Sequence, residues 1–136
     1  MTETQAVCGV YDTSLFIAAE SGRRIREELL PAESVTTVIT LAELTAGVLA
    51  ARDTETRARR LNTLSALSSL EVLTVDQRAA EQWARLRIYL AERGRRLNLN
   101  DLWIAAVAVA HGLPVVTQDS DFDALEDYHG FSQIQV

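Results

Sequence analysis

The sequence predicts an α/β fold on a short, mostly parallel sheet. Three observations carry this reading. Short β-branched or apolar runs alternate with longer segments whose apolar residues recur at helical spacing. The 136 residues contain no repeat, low-complexity stretch or linker, so a single domain, 1–136, is expected. The composition, 48% hydrophobic and 24% charged, is that of a globular chain. A chain of this size buries roughly 68–70% of the surface its unfolded form exposes, enough for one core.

The elements follow in order. Residues 7–11 form the first strand, which ends at Asp12, and a helix starts near Leu15, just behind that acid. Gly22 interrupts it, and Ile25, Leu29 and Leu30 then give a second helical face up to Pro31. Residues 34–37 read as a strand and 38–51 as a helix, with Leu41, Leu44, Val48 and Leu49 at helical spacing. Residues 57–70 continue in helical register, with Leu61, Leu64 and Leu67 as the inward stripe. Residues 72–75 are strand-like. Asp76 is an N-cap for a helix that runs to Arg93 and closes at Gly94, its apolar face made of Ala80, Trp83, Leu86 and Leu90. Residues 98–101 open the most apolar helix, 102–111, closed by Gly112 with Pro114 beyond. A strand at 115–117, a turn or short helix through Phe122 and Leu125, and a last strand at 131–136 complete the chain.

Charge narrows the chemistry. The chain has 19 acidic and 13 basic residues, a net charge of −6, and every basic residue apart from two histidines is Arg. Without Lys there is no P-loop, no Schiff base and no kinase strand Lys. The negative total argues against simple electrostatic coating of nucleic acid, but not against a nuclease whose acids carry metal ions. The longest strongly apolar run, 102–110, is about half the length of a membrane span, so no membrane association is expected. The first thirty residues hold no signal-peptide pattern, and the lone Cys8 allows no internal disulfide. A cytoplasmic location is therefore expected.

Acids recur at privileged places. Asp12 ends the first strand, Asp119 follows the strand at 115–117, Glu43 lies in the early turns of a helix that follows the second strand, and Asp101 lies in the first turn of the apolar helix. In an open parallel sheet the carboxyl ends of strands and the adjoining helix starts line one crevice. Two like charges about 4 Å apart repel by roughly 4 kcal/mol at an effective dielectric near ~20, so convergence calls for a counter-ion. Oxygen-only ligation selects Mg²⁺ or Mn²⁺ over zinc, and such a site supports hydrolysis of a phosphodiester by a metal-activated water. Each acid also has a plainer reading. Asp101 suits a helix dipole, Glu43 suits a helix surface, and Asp119, Asp121 and Asp123 suit a turn. Cys8, Trp83 and Trp103 read as packing residues, and neither His111 nor His129 has a partner at catalytic spacing.

Taken together, Val10-Tyr11-Asp12-Thr13-Ser14, Thr40-Leu41-Ala42-Glu43-Leu44, Asn100-Asp101-Leu102-Trp103-Ile104-Ala105-Ala106 and Val116-Thr117-Gln118-Asp119-Ser120-Asp121-Phe122 resemble the PIN-domain family. Within it they resemble the VapC-type toxins of bacterial toxin–antitoxin pairs, in order and separation over essentially the whole chain. The resemblance implies a Rossmann-like three-layer α/β/α fold and an Mg²⁺- or Mn²⁺-dependent endoribonuclease. It assigns Asp12, Glu43, Asp101 and Asp119 to the catalytic and metal-binding set, with Asp12 and Asp101 as principal ligands. Glu43 and Asp119 would then ligate through water or position the nucleophile. Asp121 matches a further acid acting through water, Thr117 a hydroxyl lining the site, and Ser14 and Thr13 hydroxyls that orient a water or phosphate.

The resemblance also implies an RNA substrate, a homodimer and a cognate VapB-type antitoxin, whose helix is expected in a groove over residues 38–70. Arginines 23, 24, 26, 93, 95 and 96 are candidates for holding RNA, with Arg93, Arg95 and Arg96 favoured because they directly precede the Asp101 helix. The alternative is a PIN-domain RNA-processing nuclease that is not a toxin. Such proteins often carry further domains, which the sequence does not show.

Overall fold

The structure, a computed structural model, describes residues 6–136; residues 1–5 of the expected domain lie outside the described residues. Five strands, β1 (Cys8–Tyr11), β2 (Glu33–Thr37), β3 (Glu71–Leu73), β4 (Val115–Thr117) and β5 (Gln133–Gln135), form one sheet in the order β3-β2-β1-β4-β5. Every pairing is parallel, with Val10 beside Val35 on one side and Val115 on the other. The helices are α1 (Thr13–Glu20), α2 (Val38–Ala50), α3 (Thr54–Ser65), α4 (Gln77–Glu92) and α5 (Leu99–Ala110).

Strand alternation produces the layers. Successive side chains of a strand point to opposite faces. Val10 and Val115 enter a large core with Leu86 and Leu90 of α4 and Ile104 and Val107 of α5. Val116 enters a smaller core on the other face, with Leu15 of α1 and Val136. The expected three-layer α/β/α arrangement follows. Gly9, in the central strand, is fixed by a close approach: a Cβ there would lie 2.5 Å from Val116 Cγ2 and 3.0 Å from Pro31 Cγ.

All five helices start on a side-chain cap: Asp12, Thr37, Asp53, Asp76 and Asn98 each accept a hydrogen bond from a first-turn backbone N–H. Each such cap is worth about 1 kcal/mol. The expected cap at Asp76 is present, whereas the apolar helix begins earlier than its hydrophobic run, at Leu99, because Asn98 caps it.

Four sequence expectations need correction. The helical face through Ile25, Leu29 and Leu30 is only a 3₁₀ turn, Glu27–Leu29, since Pro31 stops propagation just beyond it. On α4 the buried alanine is Ala79, not Ala80. Leu41, Leu49 and Leu61 are exposed, so the apolar stripes of α2 and α3 are only partly consumed by the core. The last strand is shorter than expected, Gln133–Gln135. Cys8 is half-buried at the core edge, and Trp83 stacks on Trp103 at 5.0 Å between α4 and α5.

Candidate active site

The chain runs from β1 outward to β3 and then returns to place β4 on the other side of β1. The switch point of the sheet therefore lies between the carboxyl ends of β1 and β4. Asp12 follows β1 directly, and Thr117 ends β4 with Asp119 just beyond. A cavity of about 310 Å³ opens there, lined by Asp12, Glu43, Asp101 and Asp119, together with Thr13, Ser14, Ile17, Arg23 and Asn98. The four acids thus meet from four separate segments of the chain.

Asp12 is the most confined of them, at 2% exposure. Ser14 Oγ donates to its Oδ1 at 2.6 Å and Thr117 Oγ1 to its Oδ2 at 2.6 Å, while the Leu15 N–H approaches Oδ1 at 3.4 Å. Each hydroxyl has one proton. Both protons are committed to Asp12, so the 3.2 Å contact between Ser14 Oγ and Thr117 Oγ1 is packing rather than a hydrogen bond. The hydroxyls in turn accept backbone N–H groups of the loop after β4: Gln118 to Ser14 at 2.9 Å and Asp119 to Thr117 at 3.0 Å. The segment bearing Asp119 is therefore built onto Asp12.

A second relay holds Glu43. Thr13 Oγ1 donates to Glu43 Oε1 at 2.7 Å, which leaves Thr40 Oγ1, 3.1 Å away, to donate to Thr13. Thr40 is fully buried on α2, one turn before Glu43. Thr13 and Ser14, the hydroxyls expected to orient a water or phosphate, line the cavity and direct their protons at carboxylates.

Electrostatics single out Asp101. Burial, and then the charges of Asp12, Asp121, Glu43 and Asp119, push its carboxyl up to about 7. Asp12 is raised to about 6, chiefly by burial, against the lowering effect of Ser14 and Thr117. Asp119 is raised by burial and by Asp121, and Arg23 opposes this. Asp121 is exposed and lies outside the cavity of the four acids, in an adjoining one shared with Arg96, Leu97 and Asn98. It acts on Asp101 and Asp119 through its charge.

Among the described residues no group of three or more acid, His or Cys side chains stands ready-made as an ion cage. The donors facing the cavity are oxygens, and burial has left carboxylates whose charge is poorly compensated.

Of the arginines expected to hold RNA, Arg93 lies over the Tyr89 ring at 3.8 Å and Arg95 is held by the Ala124 carbonyl and Asp127. Arg96 lies near Asp121. Sequence reading passed over Thr40, Asn98 and Ile17. Only Thr40 left a signal, a hydroxyl one helical turn before Glu43 on the same face.

The fold and its acids define a class, which comparison with known proteins makes specific. The sequence profile of the PIN domain matches residues 10–128, and the chain belongs to the PIN-domain family. It is 59% identical over 123 residues to Ribonuclease VapC5 of Mycobacterium tuberculosis, covering 90% of this chain and 91% of that protein. With Ribonuclease VapC4 of the same organism the identity is 42%, over 85% of this chain and 89% of that one. The crystal structure of VapBC-5, a toxin–antitoxin system of M. tuberculosis, contains a chain that superposes with a TM-score of 0.91 at 54% identity, covering 96% of this chain and 99% of that one.

Proposed function

We propose that this chain is the endoribonuclease toxin of a toxin–antitoxin pair, hydrolysing RNA phosphodiesters with Mg²⁺ or Mn²⁺. The observation that carries this reading is the meeting of Asp12, Glu43, Asp101 and Asp119 in one cavity at the sheet's switch point. The high identity to ribonucleases of the VapC group favours the toxin over an RNA-processing PIN nuclease.

Asp12 and Asp101 are the principal ligands for the cation, and Glu43 and Asp119 ligate through water or position the attacking water. A bound divalent ion supplies Lewis acidity to the phosphodiester and lowers the pKa of water. Thr117 and Ser14 fix the orientation of the Asp12 carboxylate; Oδ1 also faces the Leu15 N–H, and Oδ2, with the Thr117 bond alone, keeps a free lone pair. Thr13 donates to Glu43, and Thr40 holds the Thr13 hydroxyl from behind. Asp121 adds negative charge at the rim, and Asp101, raised to about 7, accepts a proton readily when no ion is present.

The partners are RNA, a VapB-type antitoxin and a second copy of the chain. Exposed Leu41, Leu49 and Leu61 on α2 and α3 offer the antitoxin apolar surface that the core does not use. No helix among the described residues is long and apolar enough to cross a membrane, and a cytoplasmic site of action fits an RNA substrate.

The test is RNA cleavage by purified, antitoxin-free protein with Mg²⁺, with Mn²⁺ and with chelator, beside Asp12→Asn and Asp101→Asn. Asn is chosen because it keeps the helix cap at position 12. Metal-dependent cleavage that falls about 100-fold or more in both variants is expected. Cleavage that survives the chelator and both substitutions would overturn the proposal.

A further inference from the structure

Beside the acids lies a basic groove whose construction ties it to them. Helix α1 ends at Glu20, and Gly22, at φ +71°, turns the chain back through a conformation that costs a side-chain-bearing residue strain. The Arg23 N–H then donates to the Ala18 carbonyl at 2.8 Å. Residues 23–26 have no helix or strand of their own, yet they are pinned. Gln118 Nε2 donates to the carbonyls of Arg24 and Val136, and the Arg26 guanidinium donates to the Gln135 carbonyl at 2.8 Å. Gln135 Nε2 closes the circuit on the Asp119 carbonyl at 2.7 Å. The arginine loop, the end of β5 and the segment bearing Asp119 are therefore one hydrogen-bonded unit.

Arg23 lines the acidic cavity and also an adjoining one of about 770 Å³, which it shares with Arg24, Arg26, Gln118 and Ser120. Glu28 is the one acidic side chain among the residues lining that second cavity, which Val136 also borders. Among the described residues neither Arg23 nor Arg24 is in a salt bridge, and both are exposed. A chain of net charge −6 with four carboxylates at its site repels a polyanion, so a nucleic-acid strand reaching those acids needs compensating cations close by. Guanidinium groups provide charge together with the planar two-pronged geometry that phosphate oxygens accept.

We infer that the groove of Arg23, Arg24 and Arg26 binds the sugar–phosphate backbone of the RNA strand immediately beside the phosphodiester that is cut. The inference rests on the ribonuclease reading and adds to it where the strand leaves the acids. Contacts of this kind position a strand without reading its sequence. Arg23, common to both cavities, takes the phosphate nearest the reaction, and Arg24 takes the next one. Arg26 also braces the loop through Gln135.

The experiment is binding of a short, fluorescein-labelled single-stranded RNA of mixed sequence to full-length Asp101→Asn protein in chelator, with salt varied. Arg23→Ala/Arg24→Ala is compared with Arg23→Lys/Arg24→Lys in the same background. Loss of two phosphate contacts should reduce the slope of log affinity against log salt by about 1.4, which is about 25-fold in affinity near ~0.1 M salt. The Lys pair should restore the slope. An unchanged slope in the Ala pair overturns the inference, and so does an unchanged slope accompanied by lost antitoxin binding, which would make the groove a protein surface. Salt-dependent binding that needs the arginines, in a protein whose unsubstituted form cleaves no RNA with either metal, would instead sink the ribonuclease reading and leave the groove standing.

Discussion

Asp101 shows most clearly what it costs to gather acids on one protein. Its carboxyl sits at about 7 and that of Asp12 at about 6, both above the unfolded value near ~3.9. A carboxyl raised on folding binds more protons in the native state than in the unfolded one, so its contribution is fully present below about pH 4. It is then lost as pH rises through the folded values, here up to about pH 7. The metal-free protein should therefore melt at a lower temperature at pH 8 than at pH 5, with the difference reduced in Asp101→Asn. An equal or larger difference in that variant, followed by thermal melts in chelator, would show that Asp101 is not the cause. Thr117 is argued to act through Asp12 and Asp119. Thr117→Val should cut the rate of RNA cleavage by about 10- to 100-fold, with Thr117→Ser restoring it; a Ser variant as impaired as Val would point to packing instead. Asp12, Asp101 and Asp119 were legible in the sequence because each stands by a strand end or a helix start, and Glu43 because it interrupts the apolar run of α2. The hydroxyl relays were not, since the bond from Thr117 to Asp12 spans 105 residues and the destination of each proton depends on all the neighbouring acceptors.

At the scale of elements, local chemistry and tertiary packing divide the work. Caps are local, and Asp76 with its following helix could be read directly from the chain. Burial on a helix face is not local. The i, i+3, i+4 pattern of α2 contains Leu41, Leu44, Val48 and Leu49, but only the stripe of Leu44 and Val48 is buried, leaving Leu49 78% exposed. The same phase ambiguity, one residue or about 100° of helix, separates Ala79 from Ala80 on α4. The exposed leucines are the basis for the antitoxin surface proposed above. Leu49→Glu should weaken antitoxin binding about tenfold or more in a direct titration while leaving RNA cleavage unchanged. Full-strength binding by that variant would move the antitoxin elsewhere on the chain.

For the molecule as a whole, the site is a product of topology. Alternating strands and helices announce a parallel sheet, but the order β3-β2-β1-β4-β5 is what puts Asp12 and Asp119 side by side at the switch point. Short strand runs carry no pairing information, so this order lay outside what periodicity could reveal; the resemblance implied the three-layer fold but not the strand order. Topology also places the arginines: Arg93, Arg95 and Arg96 are nearer to Asp101 in sequence, while Arg23 lines the cavity of the four acids and Arg96 the adjoining one with Asp121. On the proposal above, four carboxylates from distant segments form one site for a divalent cation. Titration of Mn²⁺ into the purified protein near pH 8, followed by the electron paramagnetic resonance of the free ion, tests it most directly. Saturable binding should weaken about tenfold or more in both Asp12→Asn and Asp101→Asn and stay unchanged in Asp76→Asn, which alters an acid outside the cavity and keeps its cap. Equal binding by all four proteins would contradict the claim.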